Sequence, residues 1–109
     1  MREALIALPA SDNAGRDLSL ARRAIEARIL NLFGGFTRSA LAFGQWRAPD
    51  GKVYSDAMFG YTIAADCNLA NQHALEALAR EACAVCRQVA IYIRDFYGNV
   101  RIINGGDNV

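Results

Sequence analysis

The residues of this chain that could do chemistry are few, and most stand close together. Cys83-Ala84-Val85-Cys86 has the spacing of a redox or metal pair, Cys67 and His73 lie upstream, and Asp66 precedes Cys67. A redox pair needs its first thiol at a helix N-terminus, where the helix field lowers the thiol pKa. This pair falls inside or near the end of a helical pattern instead. A structural zinc site takes four ligands, usually two such pairs or a pair with histidines. No second pair exists, so the cysteines read as buried core fillers and no metal is expected. His73 is the only histidine. A general base needs a nucleophile and an orienting group beside it. Cys67 and Asp66 are only sequence neighbours, so His73 reads as a solvated residue. Gly34-Gly35 follows a helical pattern. A phosphate-cradling loop precedes a helix, so the pair reads as a helix stop.

The aromatic residues are a different resource. Trp46, Tyr54, Phe59, Tyr61, Tyr92, Phe96 and Tyr97 fall largely on predicted strands. If tyrosine and tryptophan share an open sheet face with Arg38, Arg47, Arg94 and Arg101, they can stack on a planar ligand or anchor an interface. Nucleic acid is not expected as a partner. Ile91-Tyr92-Ile93-Arg94-Asp95 lacks the glycines and aromatic spacing of RNA-binding strands, and the net charge is only +1. The arginines at 16, 22, 23 and 28 make the first helix locally basic, which reads first as a solvated face.

The elements that must position these residues follow from periodicity. Glu3 to Leu8 is a predicted strand ended by Pro9. Asp17 is a candidate N-cap, and Leu18, Ala21, Ile25, Ile29 and Leu32 recur at helical spacing. Phe36 to Ala48 reads as a long strand with a bulge, in which Gly44 marks a kink or a close approach. Pro49-Asp50-Gly51-Lys52 is a turn, and Val53 to Ala65 returns as the partner strand. After Asp66-Cys67-Asn68 a second helix buries Leu69, Leu75, Leu78, Ala82, Val85 and Cys86, with Gln72, Glu76, Arg80 and Arg87 facing water. Val89 to Arg94 is a further strand, and Val100 to Ile103 a possible extra one.

That order, β-α-β-β-α-β, is the ferredoxin-like plan: an α+β sandwich with an antiparallel sheet and two helices on one face. The chain has 109 residues, 53% hydrophobic and 21% charged, which suits one domain over residues 1–103 with a polar tail at 104–109. No apolar run approaches the ~20 residues of a membrane helix. The N-terminus has no export signal, and three cysteines do not make a disulfide framework, so the expected compartment is the cytoplasm.

Leu32-Phe33-Gly34-Gly35-Phe36-Thr37, Gly44-Gln45-Trp46-Arg47, Pro49-Asp50-Gly51-Lys52-Val53-Tyr54 and Ile91-Tyr92-Ile93-Arg94-Asp95 together resemble a loose class of small bacterial and phage proteins of unknown function. Its members pair a glycine-rich helix end with a G-x-W strand, a D-G turn and a second helix. The resemblance spans about residues 17–103 and implies the fold and a mobile-element origin. It brings no catalytic residue with it.

Fold does not fix function. With no convergent catalytic set, the sequence points to a noncatalytic interaction module that self-associates through its sheet face. A homodimer is the expected partner state, with a host protein or small ligand next. Its anchors would be Trp46, Tyr54, Tyr61, Tyr92 and Arg94, and no cofactor is expected. The alternative is a small enzyme or ligand binder with a cleft between sheet and helices, where His73, Asp56, Asp66 and Tyr61 would act. A metal or redox role for Cys67, Cys83, Cys86 and His73 is the third reading.

Overall fold

The computed structural model describes residues 1–105. Eight elements follow one another: β1 (Arg2–Pro9), α1 (Ser19–Phe33), β2 (Thr37–Arg38), β3 (Ala42–Arg47), β4 (Val53–Ala65), α2 (Leu69–Val85), β5 (Ala90–Arg94) and β6 (Val100–Asn104). The sheet runs β2-β4-β1-β5-β6, with β3 also on β4, and every pairing is antiparallel. This is the ferredoxin-like α+β arrangement, and the extra C-terminal strand is present. Asn104 pairs with Ala90, and the Gly105 N–H donates to the Val89 carbonyl, so β6 runs into the expected tail. Residues 106–109 of that tail lie outside the described residues.

The expected long strand from Phe36 to Ala48 is two strands, because β4 carries both. Arg38 faces Tyr61 and Ala42 faces Met58, so Ser39, Ala40 and Leu41 stand opposite Phe59 and Gly60. The extra residue is a bulge. Its unpaired donor is satisfied locally: the Gly60 N–H donates to Ser39 Oγ at 2.8 Å. At the far end of the hairpin the turn is as the sequence predicts. Gly51 takes φ +90°, and its N–H donates to the Ala48 carbonyl.

Both helices lie on one face of the sheet. Ala4, Ile6 and Leu8 of β1, Tyr61 and Ile63 of β4, and Ile91 and Ile93 of β5 point toward them. Ile25 and Ile29 of α1 and Leu75, Leu78, Ala79, Ala82 and Cys83 of α2 close the core. Gly34 ends α1 with φ +86°, its N–H donating to the Leu30 carbonyl. Asp17 stands one residue before the cap position, and its carboxylate accepts from the Ser19 N–H and hydroxyl.

The stripe of α2 is rotated from the expected one. Leu69 is 67% exposed and Val85 sits at the surface, while Gln72, expected in water, is buried. The reason is the β5–β6 turn. Asp95 is buried, and its carboxylate accepts from the Gln72 side-chain amide at 2.8 Å and from the Tyr97 and Asn99 N–H groups. Gln72 Oε1 in turn accepts from the Phe96 N–H. A polar bracket therefore occupies a position that periodicity assigns by polarity to the outside.

Candidate functional site: the open sheet face

Alternation leaves the face away from the helices uncovered by any described element. On β3 it presents Ala42, Gly44 and Trp46; on β4, Tyr54, Asp56 and Met58; on β5, Tyr92 and Arg94. All of these but Ala42 and Arg94 line a groove of about 1190 Å³ that runs from β6 to the β3–β4 hairpin and is lipped by the loop after β1. That volume is above the ~300–1,000 Å³ of a typical small-molecule site.

The hairpin end of the groove is organised by register. Trp46 faces Tyr54, and the two rings stack with centroids 5.0 Å apart and planes 21° from parallel. Gly44 faces Asp56. With no side chain at Gly44, the space beside the carboxylate is open, bounded by the Met58 methyl 3.8 Å from where a Cβ would stand. The Trp46 indole Nε1–H donates to Asp56 Oδ2 at 3.2 Å, a diagonal contact on the same face. Gly44 thus keeps room next to a carboxylate, which replaces the expected kink.

The second carboxylate of the lining is spent. Asp12 accepts from the Ala14 and Arg16 N–H groups and pairs with the Arg16 guanidinium at 3.1 Å. The bond from the Arg16 N–H is the main cause holding its carboxyl below the ordinary value. Among the described lining residues there is no lysine or arginine. Arg94 stands on the same face, two residues along β5 from Tyr92.

Of the five expected anchors, Trp46, Tyr54, Tyr92 and Arg94 share this face. Tyr61 is the correction. It opposes Ile6 on the helix side and is fully buried, with its ring against Phe36. Its hydroxyl donates to Glu26 Oε2 at 2.6 Å, and Arg38 donates to the same oxygen at 3.0 Å. Burial and that bond push the phenol up to about 12. The group fastens α1 to β4 and faces no open surface. Phe96 is likewise core, packed on Phe33.

The expected cleft between sheet and helices is filled by core side chains, and the large concavity lies on the opposite face. His73 and Asp66 are exposed on or beside α2, away from the groove lining, while Asp56 lies in it. The cysteines are free thiols. Cys83 and Cys86 are buried, and burial pushes Cys86 up to about 11, away from thiolate reactivity. Among the described residues no three His, Cys, Asp or Glu side chains gather as a metal site would require.

The residues that sequence reasoning missed are Gly44 and Met58. The signal was present in the two-residue alternation Gly44, Trp46 against Tyr54, Asp56, once the D-G turn sets the register.

A search of protein-family models finds no match, and a search of curated proteins finds none either. Among solved structures, the chain is similar in shape to a phage SAM lyase in complex with S-methyl-5'-thioadenosine. The TM-score is 0.67 at 14% identity, over 94% of this chain and 88% of that one. A phage SAM lyase in the apo state gives the same TM-score at 13% identity, covering 94% and 87%. Both neighbours are phage proteins, compatible with the phage side of the sequence resemblance. They also correct the expectation of a noncatalytic interaction module. The same arrangement of strands and helices serves an enzyme, so a missing catalytic signature is no argument against catalysis on this frame.

Proposed function

We propose that this protein is a small enzyme that cleaves an adenosyl sulfonium compound of the S-adenosylmethionine type in the groove on its open sheet face. The observation that carries the reading is an aromatic-walled groove, roomy enough for a nucleoside-sized ligand, on a frame it shares, over 94% of its length, with a lyase for that substrate. The chemistry suits a site without a nucleophile. When a carbon–sulfur bond of a sulfonium breaks, the electron pair goes to sulfur and a neutral thioether leaves. The four-carbon fragment completes its carbon with its own carboxylate oxygen, closing a ring, so the substrate itself supplies the group that replaces sulfur. The protein then has to orient the substrate so that its own oxygen faces the carbon that sulfur leaves.

In this reading the adenine lies on the Trp46–Tyr54 pair, because every base offers a π-face to an aromatic platform. The sulfonium sits toward Asp56 and the tyrosine ring, where carboxylate and π-cloud both favour a cation. Arg94, on the same face but outside the groove lining, offers positive charge to a substrate carboxylate that reaches past Tyr92. An accessory enzyme of a mobile element, acting in the cytoplasm, is the setting that the phage likeness supports.

Binding is tested by nuclear magnetic resonance on nitrogen-labelled protein titrated with S-adenosylmethionine. The expected shifts fall on β3, the first half of β4 and β5. Shifts confined to the helices, or none at millimolar ligand, would sink the assignment of the groove.

A further inference from the structure

Asp56 carries an inference beyond the substrate's identity, although it rests on the groove being the ligand site. Three observations converge on this residue. Its carboxylate lines the groove beside the open space at Gly44, where no side chain screens it. Only its Oδ2 is engaged, by the Trp46 indole, which holds the carboxylate against the aromatic pair and leaves Oδ1 without a side-chain or backbone donor among the described residues. The other carboxylate, Asp12, is neutralised by Arg16, and no described lining residue is basic. The net field of the groove's hairpin end is therefore that of Asp56.

We propose that Asp56, held by Trp46 over the recess at Gly44, is the specificity-determining residue of the groove and makes it selective for ligand charge. A cationic sulfonium is drawn in, and the neutral thioether formed by its cleavage is let go. Loss of the positive charge at sulfur removes the attraction that held the substrate, so the reaction itself weakens product binding. Phosphorylated nucleosides are turned away by the same carboxylate, even though their bases could stack equally well on Trp46.

The experiment uses Trp46, the sole tryptophan of the chain, as a fluorescent reporter inside the site. S-adenosylmethionine is compared with S-adenosylhomocysteine, which differs by one methyl group and the sulfonium charge. Choline is compared with dimethylbutanol, its uncharged carbon analogue. Wild-type protein should bind the charged member of each pair about two- to fivefold tighter, the scale of one exposed charge contact. Asp56→Asn, which keeps an oxygen to accept from the indole, should bring both ratios close to one. Glu81→Gln, a remote removal of one negative charge, should leave them unchanged. Gly44→Val, which fills the recess, should weaken all four ligands.

If the ratios survive in Asp56→Asn, the selectivity proposal is overturned while the adenosyl reading stands. If choline is preferred and neither adenosyl compound binds, charge selection stands and the proposed substrate falls. If no ligand perturbs Trp46, both are overturned.

Discussion

Tyr61 shows why residue type alone misassigns a role. Tyrosine is a good interface anchor, and Tyr54 and Tyr92 are half-exposed on the groove face, yet Tyr61 is fully buried on the other. The bulge opposite Phe59–Gly60 does not change its parity; Tyr61 is simply an odd-numbered neighbour of Ile63 in a strand whose even positions face the groove. Its role is structural, and two outcomes check that. Replacing Tyr61 by Phe should cost about 1.5–3 kcal/mol in urea unfolding, the worth of a hydrogen bond to a charged acceptor. It should leave ligand affinity in the groove unaltered. The phenol's pH dependence is specific too. Burial and the Glu26 bond raise it to about 12, above the ~10 of an unfolded tyrosine. The stability it contributes is therefore complete below pH ~10 and is lost as pH rises through the folded value. Ultraviolet titration of the native protein should show one of its four tyrosines ionising late, and Tyr61→Phe should remove that step. A Tyr61 phenol that ionises near the ordinary ~10 would contradict the buried bond.

At the scale of elements, the strands and helices were legible because each has a local cause. The D-G turn fixes the hairpin, Gly34 stops α1, and Asn68 caps α2 by accepting from the Asn71 N–H. What was not legible depends on contacts distant in sequence. Gln72 is buried because Asp95 and Phe96 need its amide, a pairing across 23 and 24 residues that no period reveals. That bracket is also an acid sensor. Burial pushes the Asp95 carboxyl up, but the bonds from Asn99, Gln72 and Tyr97 and the charge of Arg101 together outweigh it and hold the group below the ordinary value. Its contribution is present above pH ~4 and is lost as pH falls through the lowered folded value. Asp95→Ala should destabilise by about 3 kcal/mol, since it strands the Gln72 amide and the Tyr97 and Asn99 N–H groups around a buried vacancy, and should flatten the acid limb of the stability profile. A loss under ~1 kcal/mol would show that the bracket is not needed. The end of α2 gives the opposite sign. Arg87 holds φ +55° after the helix, while the Gln88 N–H returns to the Cys83 carbonyl. Arg87→Gly should therefore stabilise by about 0.5–1 kcal/mol, because glycine meets no Cβ penalty there.

For the whole molecule, the division of labour runs along the sheet. β1 is paired on both sides and buries Ala4, Ile6 and Leu8, whereas the β3–β4 hairpin exposes Phe43 and Val53 on one face and Trp46 and Tyr54 on the other. A ribbon exposed on both faces opens more readily than a core strand. Hydrogen exchange should accordingly be slowest in β1 and the second half of β4 and fast over residues 42–57, and ligand should slow the hairpin most. The same exposure explains how far the sequence could go. It placed four aromatic or basic anchors on one face, but the groove that Trp46, Tyr54 and Tyr92 help to line is a shape made by five strands and two loops, and its ligand is written in no motif. No helix among the described residues is long and apolar enough to cross a membrane.

The most direct test is turnover. Purified protein is incubated with S-adenosylmethionine and the mixture is resolved by chromatography with mass detection. The groove chemistry predicts that S-methyl-5'-thioadenosine, the compound held by the similar phage lyase, accumulates with protein and time. Trp46→Ala should slow its formation at least about tenfold, by loss of a stacking contact. Intact substrate after prolonged incubation with protein that binds it would contradict the enzymatic reading and leave a binder in its place.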